Sequence, residues 1–393
     1  MDVRAASSDA LTLDEAVDEV AQQLHGFAPT VLVVGFSTGF SGEALATELE
    51  RRFRCIIAGC TSCRGAFSIS GSASAAQASL SLLAIQDPEG NYGVGQYKLN
   101  PDDVMSSARN ALDMALYASG RGYESPAVIW CMLPPGEEER IIAGFQSIVG
   151  EKVPILGGSS ADNDVSGQWQ QISTLTADSS QIVVLVLYPS SPLSYAFSSG
   201  YQPGANKVTV TKCNGRLLEE LNHVSAPLLY NQLTQNAIET RLQGGDILSA
   251  STLFPLGRLV SSSSHYEEYL LSHPHMVTPD GAITLFSEVA EGEELTIMAG
   301  SRDSLIHRAE RVLGSAVELL DDNVQPAGVL MIYCAGCMLA IDDDLEDMVD
   351  GLRECYPGLP IMGLYTFGEQ GCFMDGKSRH GNLMISALVF TKC

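Results

Sequence analysis

The sequence predicts an α/β fold in which mixed parallel and antiparallel sheets, flanked by helices, are built from one unit used three times. Two observations lead to this prediction. Apolar runs of strand length alternate with amphipathic segments of helical period, and this succession occurs at three places in the 393 residues. The turn after the second apolar run of each copy also recurs, as a glycine followed by small or hydroxyl-bearing residues. Repetition of this kind indicates a single structural unit used several times.

In each copy, two runs rich in Val, Ile and Leu flank one amphipathic segment, which is typical of a helical crossover between parallel strands. A third apolar run follows after a loop too short for another helix, so it is predicted to be antiparallel. Each copy is therefore a β-α-β-β unit. The predicted strands are 31–35, 55–59 and 80–85, then 127–132, 153–157 and 182–188, then 329–334, 359–363 and 383–390. The buried helix faces carry Leu45, Leu49 and Phe53, then Ile141, Phe145 and Ile148, then Leu345, Val349 and Leu352.

The 139 residues between the second and third copies, 189–327, predict a second domain of α+β type. Alternating strand patterns occur at 207–212, 282–287 and 294–298, and helical spacing occurs at 228–242 and 305–320. The Pro- and Ser-rich stretch 189–192 is the best candidate for a boundary. We therefore predict two domains, residues 1–190 and 191–393, with the third copy of the unit inside the second domain.

Composition excludes several classes of partner. The chain has 22 Lys and Arg against 47 Asp and Glu, a formal charge of −25, which repels nucleic acid and anionic lipid. No apolar stretch approaches the roughly 18 residues that a membrane-spanning helix needs. The N-terminal twenty residues are acidic and lack the apolar segment of a signal peptide. Ten cysteines are scattered through apolar runs, which is typical of reduced thiols in a cytoplasmic protein.

The recurring turn is the first candidate for a binding site. Open α/β sheets bind ligands at the carboxyl ends of their parallel strands, and a glycine there allows a close approach of ligand to backbone. We expect the three turns to lie together and to line a ligand site. They are Gly59-Cys60-Thr61-Ser62, Gly157-Gly158-Ser159-Ser160 and Gly363-Leu364-Tyr365-Thr366.

Five phrases of the sequence resemble the FIST proteins, which have an N-terminal and a C-terminal FIST domain. The phrases are AGCTSCRGAF, VPILGGSSADND, VTKCNGRLLEEL, AITLFSEVAEGEELTIM and LPIMGLYTFGEQG. The resemblance runs from about Val31 to the C-terminus, and its most specific motif is Tyr365-Thr366-Phe367-Gly368-Glu369. Arg64 stands where the family has a glycine in its first domain, and the glutamate that follows there is missing. With the turn argument, the resemblance implies ligand-binding roles for Gly59, Cys60, Thr61, Gly157, Gly158, Ser159, Asp162, Tyr365, Thr366 and Glu369.

The resemblance also implies a function. FIST proteins act as sensors that bind a small ligand and regulate a partner such as a histidine kinase, a chemoreceptor or a cyclic-di-nucleotide enzyme. One subgroup binds heme b and senses nitric oxide, and His380 is the candidate axial ligand, although Gly381 separates it from Asn382 where the family often has a His-Asn pair. Amino acids or similar metabolites are the other ligand class. The F-box subgroup is disfavoured, because only thirty residues precede the first predicted strand.

An enzymatic alternative comes from Gly35-Phe36-Ser37-Thr38-Gly39, which matches the G-x-S-x-G pattern of serine hydrolases and lies between a strand and a helix. No local pattern nominates a histidine and an acid for Ser37, so a non-enzymatic protein is expected and a hydrolase is the alternative. Residues 371–378 satisfy the Walker A pattern, but a strand follows where phosphate binding needs a helix. We expect a hairpin loop there.

Two Cys-x-x-Cys pairs, Cys60/Cys63 and Cys334/Cys337, give a further alternative. Both follow predicted strands at their carboxyl ends, where the folded units could bring the four sulfurs together around zinc. One pair alone could instead cycle between dithiol and disulfide. Buried packing is the third reading, because cysteine is also a small apolar residue. Neither pair is followed by histidine, which excludes covalently attached heme.

Overall fold

The computed structural model of the protein describes residues 1–174, 176–262 and 267–392. Its chain begins with a strand and a helix that precede the first predicted unit and complete it. Val31–Phe36 and Ile56–Thr61 pair in parallel across one helix, as predicted, and Leu80–Gln86 pairs with Val31–Phe36 in antiparallel fashion. The elements are β1 (Asp2–Ser8), α1 (Leu13–Gln23), β2 (Val31–Phe36), α2 (Gly42–Phe53), β3 (Ile56–Thr61), β4 (Ala66–Ser70), β5 (Ala73–Ala78) and β6 (Leu80–Gln86).

The second unit repeats this order element by element. A strand and a helix come first, then two parallel strands joined by a helix, a hairpin, and a last antiparallel strand. Its elements are β7 (Asn91–Lys98), α3 (Val104–Ala118), β8 (Val128–Leu133), α4 (Glu138–Val149), β9 (Ile155–Ser159), β10 (Gln171–Ser173), β11 (Thr176–Asp178) and β12 (Gln181–Tyr188).

The third unit is interrupted after its first strand by an inserted domain. That strand is β13 (Leu193–Ser198), and the inserted domain is a nine-stranded sheet with two short helices. Its elements are β14 (Gln202–Asn214), β15 (Leu217–Leu221), β16 (Val224–Ser225), α5 (Ala226–Leu233), β17 (Gly245–Asp246), α6 (Leu248–Ser251), β18 (Leu256–Ser262), β19 (Glu267–Ser272), β20 (Pro274–Val277), β21 (Ile283–Leu285) and β22 (Glu294–Ala299), with a 3₁₀ turn at Glu239–Arg241.

The third unit then resumes and ends the chain. It again contains two parallel strands, a hairpin and a final antiparallel strand. Its elements are α7 (Arg302–Ile306), α8 (Arg308–Glu318), β23 (Gln325–Cys334), α9 (Ala335–Ala340), α10 (Leu345–Cys355), β24 (Ile361–Thr366), β25 (Gly368–Cys372), β26 (Ser378–Gly381) and β27 (Ile385–Lys392), with a 3₁₀ turn at Asp342–Asp344.

The three units exchange their hairpins in a cycle. Hairpin β4–β5 of the first unit pairs with β24 of the third, β10–β11 of the second pairs with β3 of the first, and β25–β26 of the third pairs with β9 of the second. As a result, each sheet has the same six-strand order, for example β1-β6-β2-β3-β10-β11 in the first. Each unit therefore needs the other two to complete the three sheets.

The sheets are covered on both faces, which is why their central strands read as continuous apolar runs. The inner faces of the three sheets share one core, to which Val33, Trp130 and Ile332 contribute from the first parallel strand of each unit. Helices α1 and α2 pack on the outside of the first sheet, α3 and α4 on the second, and α8 and α10 on the third. The apolar spacing of these helices thus faces the sheets, as the sequence predicts.

The predicted fold class is confirmed, with differences in two helices. The pattern over 228–242 yields only α5, which ends at Leu233 because Gln235 and Asn236 adopt positive φ angles of 58° and 66°. The pattern over 305–320 is divided into α7 and α8 at His307. The loop at 371–378 is a hairpin loop, as expected. Within the described residues, no helix is both long and apolar enough to span a bilayer. The domain boundary at residue 190 stays a prediction.

Candidate functional site

The three recurring turns occupy equivalent places in the structure. At each, the carbonyl two residues after the glycine accepts a hydrogen bond from the next unit in the cycle. Cys63 N–H donates to Tyr365, Ala161 N–H to Thr61, and Phe367 N–H to Ser159, each over 3.1 Å. The strand ends therefore meet in one ring, as the sequence predicted for the three turns.

The glycines of this ring pack against protein atoms. A Cβ built on Gly59 would lie 2.4 Å from the carbonyl oxygen of Val34, and one on Gly157 would lie 2.0 Å from that of Cys131. At Gly363 it would meet the ring of Phe67, also at 2.0 Å. The space in which a ligand was expected beside the glycines is thus filled by neighbouring strands and side chains. Ligand contact by these residues stays a prediction.

A buried polar network extends outward from the ring at Ser159. Its Oγ donates to Glu138 Oε1 over 2.7 Å, and the other carboxylate oxygen accepts from Arg216 Nη2 over 2.6 Å. Glu138 stands in the first turn of α4, whereas Arg216 lies in the turn between β14 and β15 of the inserted domain. The same Arg216 nitrogen also donates to Glu139 over 2.6 Å. This network therefore joins the second unit to the inserted domain.

Glu138 is ionised in this environment. Burial alone would raise the pKa of its carboxyl group, but the neighbouring His380 and Arg216 and the bond from Ser159 outweigh burial and lower the pKa to about 2. Ligand atoms of Glu138, Glu139 and His380 lie within 4.8 Å of one another. Arg216 already supplies a positive charge to both carboxylates, so an added cation would have to displace the guanidinium.

His380, the predicted heme ligand, lies on β26 and is buried. Its Nδ1 is 3.1 Å from the amide nitrogen of Gln370, and its Nε2 is 3.2 Å from the carbonyl oxygen of Phe286. Gln370 also donates to Ser159 Oγ over 3.2 Å, which connects His380 to the network around Glu138. Both ring nitrogens are therefore engaged by protein groups.

The Tyr-Thr-Phe-Gly-Glu motif lies deep in the structure. Glu369 is fully buried and accepts hydrogen bonds from Thr366 Oγ1 over 3.1 Å and from Met384 N–H over 3.0 Å. Burial raises the pKa of Glu369 well above its ordinary value. Tyr365 donates its hydroxyl proton to the carbonyl of Ala76 over 2.8 Å. Gly158 lets Thr366 approach, since a Cβ there would lie 2.5 Å from its methyl carbon.

The other predicted residues pack in the loops beside the ring or form hydrogen bonds there. Asp162 accepts from four backbone N–H groups of its own loop, including those of Gly167 and Gln168, each over 2.8 Å. Thr61 Oγ1 accepts from Gln170 N–H over 3.0 Å. Cys60 is fully buried, and that burial raises the pKa of its thiol to about 12. These contacts hold the loops in place.

A cavity of about 340 Å³ lies beside the network, between the second unit and the inserted domain. Its walls carry side chains of both charges together with apolar groups. Helix α4 contributes Glu139, Ile142 and Gln146, and β26 contributes Ser378, Arg379 and His380. The inserted domain contributes Arg258, Leu270 and residues 288–290 and 293. Of the predicted site residues, His380 is the one that lines this cavity.

The sequence-based alternatives at Ser37 and at the cysteines are resolved in part. Ser37 Oγ accepts from Gly39 N–H over 3.2 Å, and the structure, over the residues it describes, gives it no histidine partner. The alternative of a four-cysteine zinc site finds no support among the described residues. Within the described chain, the single group of three or more metal-ligand atoms within 4.8 Å is Glu138, Glu139 and His380, because the folded units do not bring the two cysteine pairs together.

Comparison with protein families gives the class of this chain. The FIST N domain matches residues 30–224 and the FIST C domain matches residues 228–372. The chain therefore belongs to the FIST domain proteins, whose domains are sensory modules of signal transduction. Among solved structures, the cyanuric acid hydrolase from A. caulinodans is similar at a TM-score of 0.41 and 9% identity, covering 100% of this chain and 99% of that chain. No curated protein sequence matches the chain.

Several residues of the network escaped prediction from the sequence. Glu138 belongs to an acidic run, Glu137 to Glu139, at the start of a helix that follows a strand end, and this run was a usable signal. Gln370 directly follows the glutamate of the family motif. Arg216 carries no local signal, because its partners are 77 and 78 residues away in the chain.

Proposed function

We propose that this protein senses a small zwitterionic metabolite, such as an amino acid, which binds in the cavity between α4 and the inserted domain. The observation that carries the proposal is a cavity of about 340 Å³ with acidic and basic side chains on its walls. Small-molecule sites have volumes of roughly 300–1,000 Å³ and combine apolar walls with a few polar groups. A compact ligand that bears both charges matches this lining.

The basic and acidic groups of the cavity have distinct roles in this proposal. Arg258 has a half-buried guanidinium that donates to Ser272 over 3.1 Å and lies 3.7 Å from Glu293. It is the group that binds the ligand carboxylate, since guanidinium and carboxylate form paired hydrogen bonds. Glu288 and Glu293, which line the same cavity, are the groups that attract the ammonium.

Binding at this place can be transmitted because separate parts of the chain form the walls. Glu139 accepts from Glu288 N–H over 2.8 Å and from Arg216, so α4 is already bonded to the inserted domain at the edge of the cavity. A ligand that contacts both α4 and the inserted domain stabilises the arrangement in which these two are bonded to each other. Ligands shift a conformational equilibrium by their differential affinity for its states. A partner signalling protein, with a histidine kinase as the first to test, would respond to that arrangement.

The experiment is a thermal unfolding screen of the full chain against the twenty amino acids at millimolar concentration. We expect at least one to raise the Tm, because a ligand that binds only the folded state stabilises it. Gln146→Trp, which fills the cavity, should abolish the shift. Ala143→Trp, on the exposed face of the same helix, should retain it. The proposal fails if no compound shifts the Tm or if Gln146→Trp responds like the unmodified protein.

The heme-binding form of the sensor is less well supported. An axial ligand needs a free imidazole nitrogen, whereas both nitrogens of His380 are engaged by Gln370 and Phe286. The space beside the ring is also occupied, since a Cβ at Gly368 would lie 2.3 Å from Cε1 of His380. These residues do not fit an axial heme ligand as arranged. A Soret band after reconstitution that is lost in His380→Ala would reverse our choice.

A cytoplasmic location is part of the same proposal. The nine described cysteines are all free, and reduced thiols are typical of proteins in a reducing compartment.

A further inference from the structure

A second buried charge lies away from the cavity, at Arg308 in the first turn of α8. Its side chain is fully buried, and no carboxylate pairs with it in the described part of the chain. Nη1 donates to Cys337 Sγ over 3.0 Å and Nη2 donates to the carbonyl of Leu383 over 2.6 Å. The guanidinium also faces the rings of Tyr201 and Tyr333 at 5.5 and 5.7 Å.

A buried guanidinium needs an anion beside it, because an isolated charge in the protein interior is strongly unfavourable. Five acidic groups surround Arg308, and burial raises the pKa of four of them, which are Cys334, Glu369, Tyr201 and Tyr333. Burial also acts on Cys337, but the thiol of Cys334, the charge of Arg308 and the hydroxyl of Tyr201 outweigh it and lower the pKa of Cys337 to about 6. Cys337 is therefore the anion.

A neighbouring thiol is placed to react with Cys337. Cys334 is the residue before α9 and Cys337 lies in the first turn of that short helix, with Ala335 and Gly336 between them. Cys-x-x-Cys pairs with a thiolate of low pKa form and break disulfides readily. Cys334 is 4% exposed and Cys337 is fully buried, so that only a small oxidant has access.

We propose that Cys337 and Cys334 form a peroxide-oxidised dithiol site in which Cys337 is the attacking sulfur and Cys334 the resolving one. The thiolate of Cys337 attacks one peroxide oxygen, the O–O bond breaks, and a sulfenic acid and hydroxide form. Cys334 then attacks the sulfenic sulfur, and its thiol proton leaves with the displaced hydroxyl group as water. The peroxide is reduced and the two cysteines are oxidised to a disulfide.

Glu369 completes the proton balance. Burial raises the pKa of its carboxyl group well above the ordinary value and the thiolate of Cys337 adds to that rise, so the carboxyl group of Glu369 is the proton donor in this proposal. Glu369 gives this proton to the hydroxide of the first step, so that two waters are formed in total. The resulting carboxylate replaces the lost thiolate as the counter-ion of Arg308. Oxidation would thereby give Arg308 a different counter-ion. The same guanidinium bonds α8 to the carbonyl of Leu383, just before β27.

The second Cys-x-x-Cys pair is a control within the same chain. Cys60 and Cys63 have the same spacing, but burial raises the pKa of each to about 12. The nearest basic group to Cys63 is Arg64, whose side chain is exposed and paired with Asp342 over 2.8 Å. This pair has no buried guanidinium and should remain a dithiol under conditions that oxidise Cys334 and Cys337.

The test is limited oxidation of the reduced, full-length protein by hydrogen peroxide, followed by alkylation under denaturing conditions and peptide mass spectrometry. Trypsin places Cys334 and Cys337 in one peptide, residues 312–353, and Cys60 and Cys63 in another, residues 55–64. We expect the first peptide to lose two hydrogens and to escape alkylation, while the second is alkylated. In Cys334→Ser, a 1,3-dione reagent added together with the denaturant should trap the sulfenic acid at Cys337.

Substitutions of the arginine separate charge from packing. Arg308→Met should slow oxidation by about tenfold or more, because the reactive thiolate is lost. Arg308→Lys should retain most of the rate, and Arg311→Met, on the exposed face of the same helix, should leave it unchanged. The proposal is overturned if both cysteine pairs oxidise at the same rate, or if peroxide leaves Cys337 alkylatable. Should Arg308→Met fail to fold, trapping in Cys334→Ser still decides the matter.

Discussion

Two arginines of this protein pair with buried anions at comparable places in the repeat, and the pairs behave differently. Glu138 follows the first parallel strand of the second unit, and Cys337 follows that of the third. Their partners, Arg216 and Arg308, both come from the chain between β13 and β23. A buried charge after the first strand is thus used twice, once to hold the inserted domain and once to hold α8.

The chemistry of the anion sets the difference between the two pairs. Glu138 accepts from Arg216, from Ser159 and from Gly136 N–H, and its pKa is lowered to about 2. Cys337 has a larger and weaker acceptor atom, and its pKa is lowered to about 6. The carboxylate is therefore a fixed charge at neutral pH, whereas the thiolate can be protonated or oxidised. The first pair is structural, and the second can change state.

Removal of the fixed charge should produce the largest effect. Glu138→Gln removes the negative charge beside the half-buried Arg216 and replaces one of the two accepting oxygens by an amide group, and breaking a buried ion pair on one side typically costs about 3–5 kcal/mol. We expect a loss of this size in the free energy of unfolding at pH 7, measured with denaturant.

The matched control for that substitution is Glu139→Gln. Glu139 contacts the same nitrogen of Arg216 but its side chain is 26% exposed, so the expected loss is about 1 kcal/mol or less. Equal losses for the two glutamines would mean that burial does not distinguish these carboxylates.

Removal of the arginines should distinguish the two pairs from each other. Arg216→Met leaves the carboxylate of Glu138 buried and charged, whereas in Arg308→Met the thiolate can take up a proton and become neutral. The cost at Arg308 is then mainly the unpaired carbonyl of Leu383, about 1–3 kcal/mol. We expect Arg308→Met to destabilise the protein less than Arg216→Met in denaturant unfolding at pH 7. The reverse order would show that the thiolate of Cys337 does not take up a proton when Arg308 is removed.

The pH dependence of stability should show the thiolate directly. The folded pKa of Cys337 lies near 6, below its ordinary 9.0, so the stabilisation is complete above pH 9 and is lost as the pH falls towards 6. Under reducing conditions, the difference in unfolding free energy between the unmodified protein and Cys337→Ser should grow by at least about 1 kcal/mol from pH 6 to 9.

Cys60→Ser serves as the comparison for the pH experiment. Burial raises the folded pKa of Cys60 to about 12, so both states carry the neutral thiol below pH 8 and the difference should be constant there. A constant difference for Cys337→Ser as well would contradict the assignment of a thiolate.

The repeat was predictable from the sequence because it depends on local periods. Apolar runs and helical faces recur along the chain, and these identified the parallel and antiparallel strands of all three units. The exchange of hairpins was not predictable, because β4, β10 and β25 pair with strands of other units and nothing in their own residues names the partner. The strands β1, β7 and β13 were missed, since they precede the runs that defined the unit.

The same distinction between local patterns and distant partners applies to the candidate sites. Ser159 and His380 were named from the turn and from the family resemblance, and they do belong to one polar network. Arg216 and Arg308 were missed because each is a single basic residue whose partners lie in other parts of the fold. Ligand binding at the three glycines was inferred from the recurring turn and from the family resemblance, and neither reveals that Phe67 and two carbonyl groups fill the volume there.

The first unit has a different chemistry after its first parallel strand, and this gives the smallest expected effect. Ser37 follows β2 and makes a turn bond to Gly39, and the residue three further on is the apolar Phe40. Ser37→Ala removes one exposed turn bond and should cost about 0.5 kcal/mol in denaturant unfolding. Neither form should react with a fluorophosphonate probe, because no base is bonded to the hydroxyl within the described residues. Stoichiometric labelling of the unmodified protein that disappears in Ser37→Ala would instead make Ser37 a nucleophile and this unit the reactive one.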